Sequence, residues 1–291
     1  MFPLSKHCLI IHAPTPIFNQ SSDHADYSVH HTLTNLATVF ITGSADGLGL
    51  MSARLLVADG HKVVLHARNP GRAKEALSRV PGAESIVIGD LSVIAETERV
   101  AEEANAIGMF DAVIHNAAVG YREQERVTTV DGVPHVFAVN SLAPYILTCL
   151  INKPKRLIYV SSGLHQSGDT SLKDLIWATR PWNGMSAYAD SKLHNVILAF
   201  AVARRCPGIL SNAIEPGWVA TKMGGPGAPD SLEEGPKTQT WLATSQDKEA
   251  TVSGKYFYHR KLRNFNGAAS DAGIQDRYLS ECARISGVSF P

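Results

Sequence analysis

The sequence predicts an α/β fold: a Rossmann-type doubly wound parallel sheet of about seven strands with helices on both faces. Two observations carry this reading. Short apolar runs alternate with helix-length amphipathic stretches from Ala37 onward, as in successive βαβ units. A glycine-rich turn follows the first apolar run, where such folds turn from strand into helix.

The strands read as Thr38 to Thr42, Lys62 to His66, Ser85 to Ile88, Asp111 to His115, Arg156 to Ser161, Ile209 to Ile214 and Lys255 to Tyr258. Between them, helices are expected at Leu48 to Ala58, Gly71 to Arg79, Val93 to Ala106, Val133 to Leu150 and Ala187 to Arg205. Pro134 marks the early turn of the fourth helix and Pro144 a kink within it. Ser231-Leu232-Glu233-Glu234 has the form of a capping box and opens a further helix. Ala272 to Ile285 forms the last.

At 291 residues and 44% hydrophobic content, one large domain can fill its core. Lys+Arg and Asp+Glu both number 27, so no net field recruits nucleic acid or an anionic membrane. Cys8, Cys149, Cys206 and Cys282 are scattered and form no metal-ligand spacing, so no metal and no disulfide framework are expected, and a cytoplasmic setting fits. No apolar run approaches the roughly 20 residues of a membrane span. Residues 1–36 read as a mobile N-terminal extension or a start-site artefact, with cover for the sheet edge or substrate mouth as the alternative. Residues 37–291 are expected to form a single Rossmann-fold domain.

Thr42-Gly43-Ser44-Ala45-Asp46-Gly47-Leu48-Gly49 lies at the strand-to-helix turn. Glycines there allow close backbone approach, and the helix N-terminus offers free N–H groups to a pyrophosphate. The second strand ends in Leu65-His66-Ala67-Arg68-Asn69, with no carboxylate to accept a ribose 2′-OH. Arg68 suits a 2′-phosphate, with Ser44 and Arg72 as residues that share or replace its role, so NADP(H) is expected over NAD(H). Asp90, followed by Leu91, is placed to receive the adenine amino group or to cap the next helix.

Tyr188 and Lys192 stand one helical turn apart on one face. A phenol has a pKa of roughly 10, and a neighbouring ammonium favours its ionised form. Ser162 ends the fifth strand at the ligand-binding edge of the sheet, and Asn140 is a poor helix former placed mid-helix. His165, beside the Ser-Ser turn, reads as a structural hydrogen bonder.

With these motifs in order, the chain resembles the short-chain dehydrogenase/reductase family from Ala37 to the end of the sixth strand and more loosely beyond. The matching motifs are Thr42-Gly43-x3-Gly47-x-Gly49, Asn116-Ala117-Ala118, Ser162 with Tyr188-x3-Lys192, and Pro216-Gly217. The resemblance implies that Tyr188 is the general acid and base, Ser162 polarises the substrate oxygen, and Lys192 lowers the tyrosine pKa and holds the nicotinamide ribose. It implies that Asn140 positions a relay water, Asn116 supports the cofactor-side backbone, and Pro216, Gly217, Val219 and Thr221 hold the carboxamide. It also implies a homodimer or homotetramer built on the Asn140 and Tyr188 helices.

Two departures bear on function. His115-Asn116-Ala117-Ala118 replaces the family's Asn-Asn-Ala-Gly, and Ser162 and Tyr188 are separated by a longer insert than usual. That insert resembles the subgroup of retinol dehydrogenase-like enzymes and ketoreductases. Trp177 and Trp182 within it either wall a site for a bulky lipophilic or aromatic carbonyl or pack the insert onto the domain; Trp218 is a further substrate-side candidate. The Gly- and Pro-rich stretch from Pro216 to Pro236 is expected to form a lid. The expected activity is interconversion of a secondary alcohol and a ketone, or an alcohol and an aldehyde. The alternative is a catalytically silent NADP(H) sensor.

Overall fold

Alternation along each strand divides its side chains between two faces, and both faces here are apolar. In the computed structural model, which describes residues 11–12 and 36–291, Phe40 points into one core while Val39 and Ile41 point into the other. Val64 opposes Val63 and Leu65 in the same way.

The chain order is β1 (Ile11–His12), β2 (Thr38–Ile41), α1 (Gly47–Ala58), β3 (Lys62–Ala67), α2 (Pro70–Arg79), β4 (Ser85–Ile88), α3 (Ile94–Ile107) and β5 (Ala112–His115). There follow α4 (His135–Phe137), a π-helical turn (Ala138–Leu142), α5 (Ala143–Leu150), β6 (Arg156–Val160) and α6 (Gly184–Arg205). The remainder is β7 (Leu210–Glu215), α7 (Lys237–Thr244), β8 (Tyr256–Tyr258), β9 (Lys261–Leu262) and α8 (Ala272–Ser286). The sheet has nine strands in the order β1-β4-β3-β2-β5-β6-β7-β8-β9. From β4 to β8 every pairing is parallel; β1 and β9 add short antiparallel edges. These two edges exceed the expected strand count because a two-residue strand carries no readable alternation. Apart from Ile11–His12, which pairs with Ile86 and Ser85, the expectation for residues 1–36 falls almost wholly outside the described residues.

After β4 the chain returns to the other side of β2, so β2 and β5 flank the point where strand order reverses. The carboxyl ends of these two strands open a crevice there.

Two helix expectations need correction. Val133 to Leu150 is not one regular helix: it contains a π turn at Ala138–Leu142, immediately before Pro144. Proline lacks an N–H and clashes with the carbonyl four residues back, and a π turn is one way a helix absorbs that fault. At Ser231 no helix starts. The Ser231 hydroxyl accepts from Glu234 N at 3.4 Å, but Pro236 follows at once, and α7 begins only at Lys237.

The central helix α6 buries sixteen consecutive residues, Ala187 to Val202, against the sheet and its neighbours. Helix α8 and the residues after it pack against both α5 and α6. Tyr278 stacks on His194 with ring centroids 5.1 Å apart, and Tyr145 donates to the Val288 carbonyl at 2.8 Å.

Candidate active site

The glycine turn is held by groups on three strands. Asp46 caps α1 by accepting from Gly47 N at 2.9 Å. Gly43 has φ +64, and a Cβ there would fall 2.7 Å from the Ala117 Cα. This close approach is required because Asn116 stitches the two turns together, donating from Nδ2 to the carbonyls of Thr42 at 3.0 Å and Gly43 at 3.3 Å. Thr42 Oγ1 accepts from the N–H groups of Asn116 and Ala117, each at 3.0 Å. The alanine-containing 115–118 turn therefore still docks on the glycine loop.

His66 ties the remaining loop. Its Nδ1 accepts from Gly43 N at 3.0 Å, so the proton sits on Nε2, which donates to the Gly89 carbonyl at 3.0 Å. Burial pushes this imidazole down to about 4, keeping it neutral. Ser44 is fully buried, donating to the Ile41 carbonyl at 2.9 Å and accepting from His66 N at 2.8 Å. It is therefore committed to the turn and is not available to a 2′-phosphate.

A cleft of about 810 Å³ opens over these turns. From the glycine loop it is lined by Gly43, Asp46, Gly47 and Leu48; from the ends of β3 and β4, by Arg68, Asp90 and Leu91. Asn116, Ala117 and Ala118 line it after β5, Tyr188 and Lys192 on α6, and Pro216 and Thr221 after β7. Of the other residues assigned to the cofactor, Thr42, Ser44, Gly49, Gly217 and Val219 are not among those lining it. Asp90 uses Oδ1 to accept from Ser92 N at 2.9 Å, an Asx turn ahead of α3, whose cap position is Val93.

The β3 end of the cleft is basic. Arg68 is exposed and, among the described residues, joins no salt bridge, while Arg72 meets Asp46 at 3.2 Å. Lys222, then its backbone cap and Arg72, hold the Asp46 carboxyl well below the usual carboxylate range, against the effect of burial. The 216–236 loop lies over the cleft, with Met223 and Lys222 on its wall and Met223 Sδ 3.8 Å from the Tyr188 hydroxyl.

At the other end, Lys192 Nζ donates to the Val160 carbonyl at 3.0 Å and lies 5.3 Å from the Tyr188 ring centroid. Burial lowers the lysine to about 7 and pushes the tyrosine up to about 12; Ser162 favours the phenolate and Tyr121 opposes it. Ser162 Oγ also caps the following turn, accepting from Leu164 N at 3.3 Å. The Asn140 side chain is fully engaged: Oδ1 accepts from Val119 N at 2.8 Å, and Nδ2 donates to Val119 O and Ser191 Oγ, both at 3.0 Å. It clamps the loop after β5 onto α6.

The tryptophans stand off the cleft. Trp177 is buried with Val136 and Ala187, stacks beneath the Arg180 guanidinium at 3.6 Å, and meets Trp182 edge-on at 5.4 Å. These contacts match the packing alternative. Trp218 is 56% exposed and donates from Nε1 to the Gly224 carbonyl at 2.9 Å within its own loop. His165 is structural, as expected: Nδ1 donates to the Ser162 carbonyl at 2.7 Å, and Nε2 accepts from Asn266 N at 3.2 Å.

Sequence reading missed His66, Lys222 and His135, all of which line the cleft, as does Met223 of the stretch expected to form a lid. A histidine inside an otherwise apolar strand was a readable signal for His66. Lys222 and His135 carry no local signal, because only folding brings them to the cleft. Among the described residues, no group of His, Cys, Asp and Glu is arranged to hold a metal, and no helix is long and apolar enough to cross a membrane.

Comparison with known proteins agrees with this geometry. The family model for short chain dehydrogenases matches residues 37–168. The short-chain dehydrogenase chyC of Penicillium rubens is 43% identical over 88% of this chain and 100% of its own length. Human retinol dehydrogenase 13 is 30% identical, covering 87% of this chain and 86% of that protein. A solved structure of a protein from Mycobacterium paratuberculosis superposes with a TM-score of 0.74 at 25% identity, over 88% of this chain and 95% of that one. The protein therefore belongs to the short-chain dehydrogenase/reductase family of oxidoreductases and resembles its retinol dehydrogenase-like group.

Proposed function

We propose that the protein is an NADP(H)-dependent oxidoreductase that interconverts a secondary alcohol and a ketone, or an alcohol and an aldehyde, on a bulky lipophilic or aromatic substrate. The observation that carries the reading is the single cleft that joins the glycine turn, the exposed Arg68 and the Tyr188–Lys192 pair. The residues fit a dinucleotide: Gly43 and the α1 N-terminus suit a pyrophosphate, Arg68 and Arg72 a 2′-phosphate, and Asp90 faces the adenine end. When bound, NADPH supplies the hydride for carbonyl reduction.

Tyr188 does the proton chemistry. A phenol held near 12 is protonated at neutral pH, as a donor to a carbonyl oxygen must be, and Ser162 beside it adds a second hydrogen bond to that oxygen. Lys192, lowered by burial to about 7, gains and loses a proton near neutrality and so suits resupply of the tyrosine. Its backbone anchor at Val160 fixes the amine in that position. Asn140 acts by holding Val119 and Ser191, the supports on either side of the reacting group.

Tyr188→Phe is the decisive variant. It is expected to lower NADPH consumption by roughly 100-fold or more across a panel of aryl ketones, with the Kd for NADPH nearly unchanged. Full retention of turnover in Tyr188→Phe would remove Tyr188 from the mechanism. Tight NADPH binding by the wild type without turnover of any carbonyl would favour a sensor.

A further inference from the structure

Beside Tyr188 the cleft meets the loop at residues 119–126 and the start of α4. His135, the first residue of α4, lines the cleft with Val119 and Val139. Its Nδ1 lies 2.6 Å from Glu123 Oε1. An ionised carboxylate only accepts, so Nδ1 carries a proton, and in the neutral imidazole Nε2 is the acceptor. Among the described residues, no hydrogen-bond partner meets that nitrogen.

Glu123 is itself fixed from behind. Trp182 Nε1 donates to the Glu123 carbonyl at 3.0 Å, and Gly184 packs so closely on this carbonyl that any Cβ would collide with it. Glu123 Oε2 is buried with no partner, which leaves the bond to His135 as the anchor of the carboxylate. The same loop carries Tyr121, whose ring meets Tyr188 edge-on at 5.6 Å. Glu123 and Tyr121 therefore share one loop, and the long insert holds that loop through the Trp182–Glu123 hydrogen bond.

The geometry points to His135 as a specificity-determining residue whose Nε2 accepts a hydrogen bond from a substrate hydroxyl remote from the reacting carbonyl. Val119, Val139 and Met223 supply apolar lining in the same cleft. The substrate class is then a hydroxylated aromatic ketone or aldehyde. This deepens the carbonyl-reduction reading above and rests on it. Glu123 and Trp182 are positioning residues that orient the ring.

The test compares 2-acetylnaphthalene with its ring-hydroxylated isomers and their methoxy analogues, using the full chain and NADPH. Wild type is expected to show kcat/KM roughly tenfold or more higher for at least one hydroxylated isomer than for the parent, since a site built around a hydroxyl rejects the analogue that lacks it. The matching methoxy compound, with no proton to donate, gains nothing. His135→Phe is expected to bring the ratio to about one, with the loss falling on the hydroxylated isomer. Calorimetric binding of naphthols, which have no carbonyl, reads the same contact without turnover. Naphthol affinity is expected to fall roughly tenfold in His135→Phe.

Equal hydroxyl preference in wild type and His135→Phe would overturn the proposal, as would equal losses on hydroxylated and parent ketones. Absence of any hydroxyl preference in both the kinetic and binding assays would do the same. Histidine-dependent naphthol binding without carbonyl turnover would uphold the His135 contact and count against the reductase reading alone.

Discussion

Lys222 Nζ meets Asp46 Oδ2 at 2.5 Å, joining two cleft residues 176 positions apart in sequence. The contact ties the loop after β7 to the cap of α1, above the turn that suits a pyrophosphate. It gives the expected lid a specific latch.

The lysine side chain is 84% exposed, so the pair adds little to folding, within about 1 kcal/mol. Lys222→Ala is expected to leave thermal unfolding nearly unchanged and to speed NADPH release roughly 3- to 10-fold in stopped-flow fluorescence. An unchanged release rate would show that the loop closes without this contact.

Arg68 tests cofactor choice. Arg68→Ala is expected to weaken NADPH binding roughly tenfold or more, about 1.4 kcal/mol, while NADH binding changes little. Equal loss for both cofactors would assign Arg68 to the shared part of the dinucleotide, and no loss for either would shift the 2′-phosphate to Arg72.

Three buried histidines make stability fall in acid. Burial holds His66 near 4 and His115 and His194 near 3, against 6.5 for the unperturbed group. Between the folded and unfolded pKa values the unfolded chain binds more protons than the native one, so stability rises with pH across that window. It is lost as pH falls from 6.5 and levels off below the folded values. Each histidine contributes at most about 1.4 kcal/mol per pH unit. Urea unfolding at pH 5 and pH 7.5 measures the slope, and His115→Phe is expected to flatten it; an unaltered slope would exclude His115 as a source.

Much of this architecture was legible locally. The strand-turn-helix at Thr42 to Gly49 is a contiguous motif in which a Cβ on Gly43 would fall 2.7 Å from Ala117 Cα, and Tyr188 and Lys192 share a helix face because helix geometry requires it. Asn140 was readable as an amide in need of partners. Which partners it has was not readable, because Val119 and Ser191 lie 21 and 51 positions away. Ser44 shows the reverse case: its sequence position suggested a ligand contact, yet the fold spends both of its hydrogen bonds on the turn.

The sequence by itself determined the Rossmann class, the family, the phosphate turn and the tyrosine-lysine pair, since each depends on periodicity or on spacing within one or two elements. Tertiary structure decided the rest. It turned Trp177 and Trp182 into packing, packed α8 onto α5 and α6, and brought His135 and Lys222 to one cleft. Those outcomes depend on which surfaces meet when distant segments pack, and burial, not the neighbouring ammonium, governs the Tyr188 phenol there.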